Sequence, residues 1–180
     1  LYTIAKDVKI QVEFNPAVIS QYRLIGYENR ALREQDFDND AVDAGDIGSG
    51  HQVTAIYEVV PAGADGWIAN RRYQDKIPQA ANDKATEAAF VKLRYKQPDG
   101  DTSTLITEAL PARMLAAAPA PSGDFAFATS VAAFAQKLRG DTLLDGYSYD
   151  AIRALAGPQT DFYRQQYLKL VGVAEGLDQE

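Results

Sequence analysis

The sequence predicts an α+β fold: an antiparallel β-sandwich or sheet of about five strands within residues 3–110, followed by three helices. Three observations carry that reading. Apolar and polar residues alternate in several runs before residue 110, the spacing changes to a helical one after residue 121, and the stretch 109–121, rich in proline and alanine, lies between them. The division it suggests is a β-rich part over 1–110 and a helical part over 111–180 packed on the same domain.

In the first strand Val8, Ile10, Val12 and Phe14 alternate with Lys9, Gln11 and Glu13, which predicts a half-buried strand with the lysine and its neighbours outward. Asn15-Pro16 stops it. The run Ile19 to Glu28 is β-branched and aromatic, and Gly26 inside it suggests a bulge or a close backbone approach. Asn29 to Gln35 reads as a turn of helix or a loop, and Gly45, Gly48 and Gly50 lead into a third strand, His51 to Val60, ended by Pro61. Residues 61–87, with Trp67 and Pro78, read as a long irregular connection. Ala88 to Tyr95, the turn Pro98-Asp99-Gly100-Asp101 and Thr102 to Leu110 form a hairpin in which turn chemistry and alternation agree.

Beyond the linker, Ser122 is a candidate N-cap for a helix over 123–139 whose apolar stripe is Phe127, Val131, Phe134 and Leu138, closed by Gly140. Ser148 caps a second helix over 149–156, with Tyr147 and Ile152 placed for a hydrophobic staple and Gly157-Pro158 as its stop. The third helix, 161–175, places Tyr163, Tyr167, Leu170, Val171 and Ala174 on one face. No repeat of fixed period runs through the chain.

Composition narrows the function classes. A formal charge of −7 repels phosphate backbones and anionic lipid, which argues against nucleic acid and membrane surfaces as partners. With no Cys, disulfides, thiolate metal sites and cysteine nucleophiles are absent. No apolar run reaches the ~18 residues of a membrane span. Leu1-Tyr2-Thr3-Ile4 is no signal peptide, and a chain that starts in strand-like sequence suggests a fragment of a longer protein.

Charge is uneven. Between Glu34 and Asn70 there is no Lys or Arg, yet eight carboxylates occur there. Asp36, Asp38, Asp40, Asp43 and Asp46 are candidate cation ligands, since calcium requires several convergent oxygens. The EF-hand pattern is excluded, because Ala41 and Ile47 stand where it needs Gly and Glu. A solvated acidic loop and a carboxylate-based hydrolase are the competing readings. His51 is the lone histidine; Ser49 lies roughly 6.6 Å away in extended chain, and Ile47 stands where a nucleophile elbow needs Gly. His51 therefore reads as a strand-end residue or an interaction residue. Trp67, near Tyr57 and Tyr73 in sequence, is a candidate contact residue. The glycine cluster 45–50 opens a strand rather than a helix, so it is no dinucleotide loop.

The runs Ala5 to Pro16, Tyr22 to Arg30, Asp43 to His51 and Val53 to Glu58, with Phe90 to Tyr95 and Asp124 to Ala128, resemble the C-terminal region of YfbK-type bacterial von Willebrand factor A domain proteins. The resemblance implies an accessory or protein-interaction domain with no assigned activity, following a von Willebrand factor A domain in a protein of the bacterial cell envelope. It implies that A domain, or another protein, as partner. The Asp-x-Ser-x-Ser metal motif of the A domain does not occur in this chain, so the resemblance transfers neither a metal nor a catalytic residue.

Overall fold

The computed structural model describes residues 2–26, 32–68, 86–117, 119–144 and 146–178. The fold is α+β. By its internal contacts the chain divides into two units, Leu1–Ala118 and Pro119–Glu180.

In the first unit the described residues form six strands rather than about five: β1 (Thr3–Phe14), β2 (Ile19–Ile25), β3 (Gly45–Gly48), β4 (Ile56–Pro61), β5 (Glu87–Lys96) and β6 (Ser103–Pro111). They make an antiparallel sheet in the order β3-β1-β5-β6 and a two-stranded sheet, β2-β4. Asn15 sends the chain from one sheet to the other. Its main-chain N–H bonds Ala88 O at 2.9 Å and its amide donates to Glu87 O at 2.7 Å, while its Oδ1 accepts from Ala17 N at 3.1 Å in an Asx turn. The Phe14 ring packs on Tyr22 and Tyr57 of the second sheet, at centroid distances of 4.4 and 5.2 Å.

The hairpin forms as its sequence predicts, with Lys96 opposite Ser103, Leu93 opposite Ile106 and Phe90 opposite Ala109. Two strand expectations need correction. The expected strand His51–Val60 begins only at Ile56, and the glycine approach supplies β3 instead; Gly50, at φ 79°, turns the chain so that residues 51–55 lie outside any strand. The second strand ends at Ile25, with Gly26 at φ 74°; Tyr27 and Glu28, like Tyr73 and Pro78, lie outside the described residues. The expected linker is partly ordered, since β6 continues to Pro111 and a short helix α1 (Arg113–Ala116) follows.

The second unit holds α2 (Gly123–Leu138), α3 (Tyr149–Ala156) and α4 (Phe162–Asp178), within a few residues of the expected ends. Ser148 caps α3 by accepting from Ala151 N at 3.1 Å, whereas Ser122 makes no side-chain cap to α2. The core consists of Ala133, Tyr149, Ile152 and Val171, with Phe134, Leu144, Tyr147, Tyr167 and Ala174 packed around it. Half of the predicted stripe on α2 holds: Phe134 packs on the core and Phe127 on Tyr167, whereas Val131 and Leu138 are exposed, and small residues, Ala126, Ser130 and Ala133, are buried beside the phenylalanines. Close approach is the reason. Buried Ser130 bonds Ile152 O at 2.8 Å and the Tyr167 hydroxyl at 2.7 Å, contacts a bulkier side chain would block. On α4, Tyr163 and Leu170 of the predicted face point to solvent while Val171 is fully buried.

This packing separates two residues that apolarity alone ranks together. Ile152→Ala should destabilise the helical unit by about 2–5 kcal/mol, because it empties a closed site. Leu138→Ala, at an exposed position, should change stability by no more than ~0.5 kcal/mol. Urea unfolding followed by far-ultraviolet circular dichroism measures both.

Candidate functional site

Cation opposes cation where β1 meets β5. The register places Lys9 opposite Arg94 and Lys6 opposite Lys96. Like charges directly opposite on a sheet destabilise it, by roughly 0.2–1 kcal/mol a pair. The acidic loop between β2 and β3 answers them. A 3-10 turn, Glu34–Asp36, lowers the loop onto the sheet, and buried Phe37 follows it, with the Arg94 guanidinium 5.6 Å from its ring centroid.

Lys9 lies beneath this loop. The alternation on β1 predicts an outward lysine, but Lys9 is 3% exposed and Ile10 is 45% exposed. A distant segment covers the face that period two assigns to solvent. The Lys9 ammonium donates to two main-chain carbonyls of the loop, Asp36 O at 3.2 Å and Asn39 O at 2.5 Å. A buried cation is tolerable only with such partners.

Asp7 completes the arrangement from the other side. It has a left-handed backbone, φ 51°, at the irregularity between Lys6 and Lys9, a conformation aspartate accepts more readily than most residues. Its carboxylate accepts from Lys96 Nζ at 2.7 Å and from Ala44 N at 3.1 Å. The Lys96 hydrogen bond, with that of Ala44, holds the Asp7 carboxyl down at about 2. Asp43 faces the Asp7 carboxylate; a hydrogen bond to it that only the protonated form can donate, and repulsion from its charge, push the Asp43 carboxyl above the ordinary value.

The five predicted aspartates do not converge on one point. Asp36 is nearly buried and pairs with Arg33 at 2.6 Å. Asp38 pairs with Arg94 at 2.6 Å. Asp40 takes Lys96 Nζ on its main-chain oxygen at 2.8 Å, and its hydrogen bonds to Ser103 lower its carboxyl's pKa. Asp43 faces Asp7, and Asp46 accepts from Asp7 N at 3.3 Å. Among the described residues no group of three or more His, Asp or Glu side chains could hold a metal ion.

His51 is exposed in the turn after β3; its N–H bonds Gly48 O at 3.1 Å, and its ring makes no hydrogen bond among the described residues. Trp67 is half-buried under the Arg23 guanidinium, 5.4 Å from the ring centroid, and Arg23 pairs with Glu58 on the neighbouring strand at 2.5 Å. The Gln21 side chain holds the adjoining chain by bonding Ile68 N and O at 3.0 and 2.9 Å. A Cβ on Gly66 would lie 2.5 Å from the amide end of that side chain, so a larger residue there would have to displace Gln21. A depression of about 530 Å³ lies at the other end of the β5–β6 hairpin, lined by Thr86, Glu87, Ala109, Pro111, Ala112 and Arg113.

Sequence reading identified the acidic loop but missed Asp7, Lys9, Arg94, Lys96 and Ser103, which fix it. The available signal was charge: between Glu34 and Asn70 there is no cation, so apart from neighbouring Arg33 the counterions come from distant segments.

The comparisons with known proteins agree on the family. The family model described as "Uncharacterized protein YfbK, C-terminal" matches residues 1–177. A curated relative, "Uncharacterized protein YfbK" of Escherichia coli (strain K12), is 41% identical over 181 residues, covering 98% of this chain. The chain spans 31% of that relative's length. No solved structure matches.

Two outcomes are expected of the loop's attachment. Lys9→Met keeps the stem and removes the donor of two carbonyls, so it should destabilise the first unit by about 1–3 kcal/mol in denaturant titration. Asp7 has a depressed pKa, so its contribution is complete above the ordinary value of 3.8 and is lost as pH falls from there through about 2. Asp43, with a raised pKa, contributes with the opposite sign. Acid unfolding should therefore become less steep between about pH 4 and 2 in Asp7→Asn, with neutral-pH stability reduced, whereas Asp43→Asn should leave neutral-pH stability unchanged or higher.

Proposed function

The chain belongs to the family of YfbK C-terminal domains, and on that premise we propose that it is a non-catalytic accessory or protein-interaction domain within a longer protein. The observation that carries the reading is the engagement of the acidic loop. Asp36 and Asp38 pair with cations, Asp40 bonds Ser103, and Asp46 accepts from Asp7 N, so the most chemically suggestive stretch of the chain serves to close the sheet. A hydrolase would need two carboxylates facing a cleft, and calcium-dependent binding through the same five aspartates would need them to converge. Their splayed pairing favours a scaffold over both.

The partner is a von Willebrand factor A domain preceding this region in the same polypeptide, at the bacterial cell envelope, with no cofactor of the accessory domain's own. Support comes from the family resemblance and from the greater length of the relative. Among the described residues no helix is long and apolar enough to cross a membrane.

Deletion of this region from the full-length protein tests the proposal. Loss of the support should lower the melting temperature of the remaining A domain by about 2–4 °C, the shift of ~1 kcal/mol in a domain of roughly 150–250 residues, or weaken its partner binding. An A domain that melts and binds identically without residues 1–180 contradicts a supporting role.

A further inference from the structure

Three Asp-Gly dipeptides occur in the chain: Asp65-Gly66, Asp99-Gly100 and Asp145-Gly146. Asp145 lies outside the described residues. An Asp-Gly bond is open to a reaction that needs no enzyme. The main-chain nitrogen of the glycine attacks the protonated side-chain carboxyl of the aspartate, water leaves, and a five-membered succinimide ring closes. Water then opens the ring at either carbonyl. One opening restores aspartate; the other leaves isoaspartate, in which the main chain runs through Cβ and Cγ. Glycine permits the closure because no Cβ stands beside its nitrogen. The state of that N–H separates one site from another, since an N–H that is hydrogen-bonded must first be released.

The two described sites differ in this respect. Gly100 closes the turn of the β5–β6 hairpin, its N–H donating to Gln97 O at 3.0 Å, and it is half-buried. Asp65 and Gly66 are both exposed and lie outside any helix, strand or turn. Among the described residues, neither the Gly66 N–H nor the Asp65 carboxylate has a hydrogen-bond or ion-pair partner.

We propose that Asp65-Gly66 is a covalent modification site, at which aspartate converts to isoaspartate without an enzyme, and that the conversion releases Trp67. The chain just after the site is tightly held. Gln21 bonds Ile68 N and O at 3.0 and 2.9 Å, and its amide end lies 2.5 Å from where a Cβ on Gly66 would stand. The Arg23 guanidinium covers the Trp67 ring, 5.4 Å from its centroid. Isoaspartate inserts one extra carbon into the main chain immediately before these contacts. Gly66 then cannot keep its place against Gln21 while Ile68 keeps both bonds, so the indole moves out from under Arg23.

The test is incubation of the 180-residue chain at mildly acidic pH, with isoaspartate located by peptide mapping and by enzymatic methylation of its free carboxyl. In the folded chain it should accumulate roughly two- to tenfold faster at position 65 than at position 99, the factor that corresponds to one hydrogen bond of ordinary net strength. In denaturing urea both N–H groups are open, and the two rates should converge. Trp67 is the sole tryptophan, so its fluorescence should shift to the red in step with isoaspartate at position 65. Asp65→Glu keeps the charge but would have to close a larger, six-membered ring, so it should abolish both the modification there and the shift. Circular dichroism checks that the variant folds and that the incubated chain stays folded. Accumulation at position 65 no faster than at position 99 in the folded chain, fluorescence unchanged in the modified chain, or a shift that persists in Asp65→Glu overturns the proposal.

Discussion

The first unit depends on one electrostatic constraint: β1 and β5 set Lys9 against Arg94 and Lys6 against Lys96, and a sheet does not hold cations face to face without counterions. The loop from Glu34 to Asp46 supplies them. Its contribution is not a set of independent surface salt bridges, which are worth little. Lys9 is bonded to main-chain carbonyls, Phe37 is buried, and both side chains of the Lys96–Asp7 pair are largely covered, at 13% and 14% exposure. Apolar burial and desolvated polar contacts therefore act together, and each makes the other more favourable.

The constraint explains features that look unrelated one at a time. Asp7 has a left-handed backbone, and from it the carboxylate meets both Lys96 and Ala44. The loop's carboxylates point in different directions because their partners lie on three strands and on the loop itself. The short β3 can end the sheet because Asp46 and the Ser49 N–H, bonded to Tyr2 O at 2.8 Å, tie the loop's exit to β1.

The sequence was most legible where one local signal sufficed. Ser148, Tyr147, Ile152 and Gly157 mark the ends of α3, and the Pro98–Asp101 turn marks the hairpin. It was less legible where a distant segment decides burial. Alternation along β1 shows two faces but not which is covered, and the cover of Lys9 comes from residues 27 and 30 positions away. On α2 the most buried residues, Ala126, Ser130, Ala133 and Gln136, are ones that hydrophobicity ranks low, so the stripe of larger residues identified Phe127 and Phe134 but also took in exposed Val131 and Leu138. On α4 apolar residues occupy both faces, leaving Tyr163, Leu170, Val173 and Leu177 exposed, so spacing alone cannot choose. The five aspartates were found by charge, but their partners had no motif.

An acidic loop that closes a sheet and an acidic loop that binds a ligand differ in their own backbone dynamics. Amide hydrogen exchange of Phe37 and Ala44, whose N–H groups bond Glu34 O at 3.2 Å and the Asp7 carboxylate at 3.1 Å, reads that difference directly. The clamp predicts that both amides are protected in the chain as it stands, without added metal, and that Lys9→Met abolishes their protection while that of β5 and β6 persists. Exchange of these amides at the rate of an unstructured loop, or protection that survives the loss of the Lys9 ammonium, would contradict it.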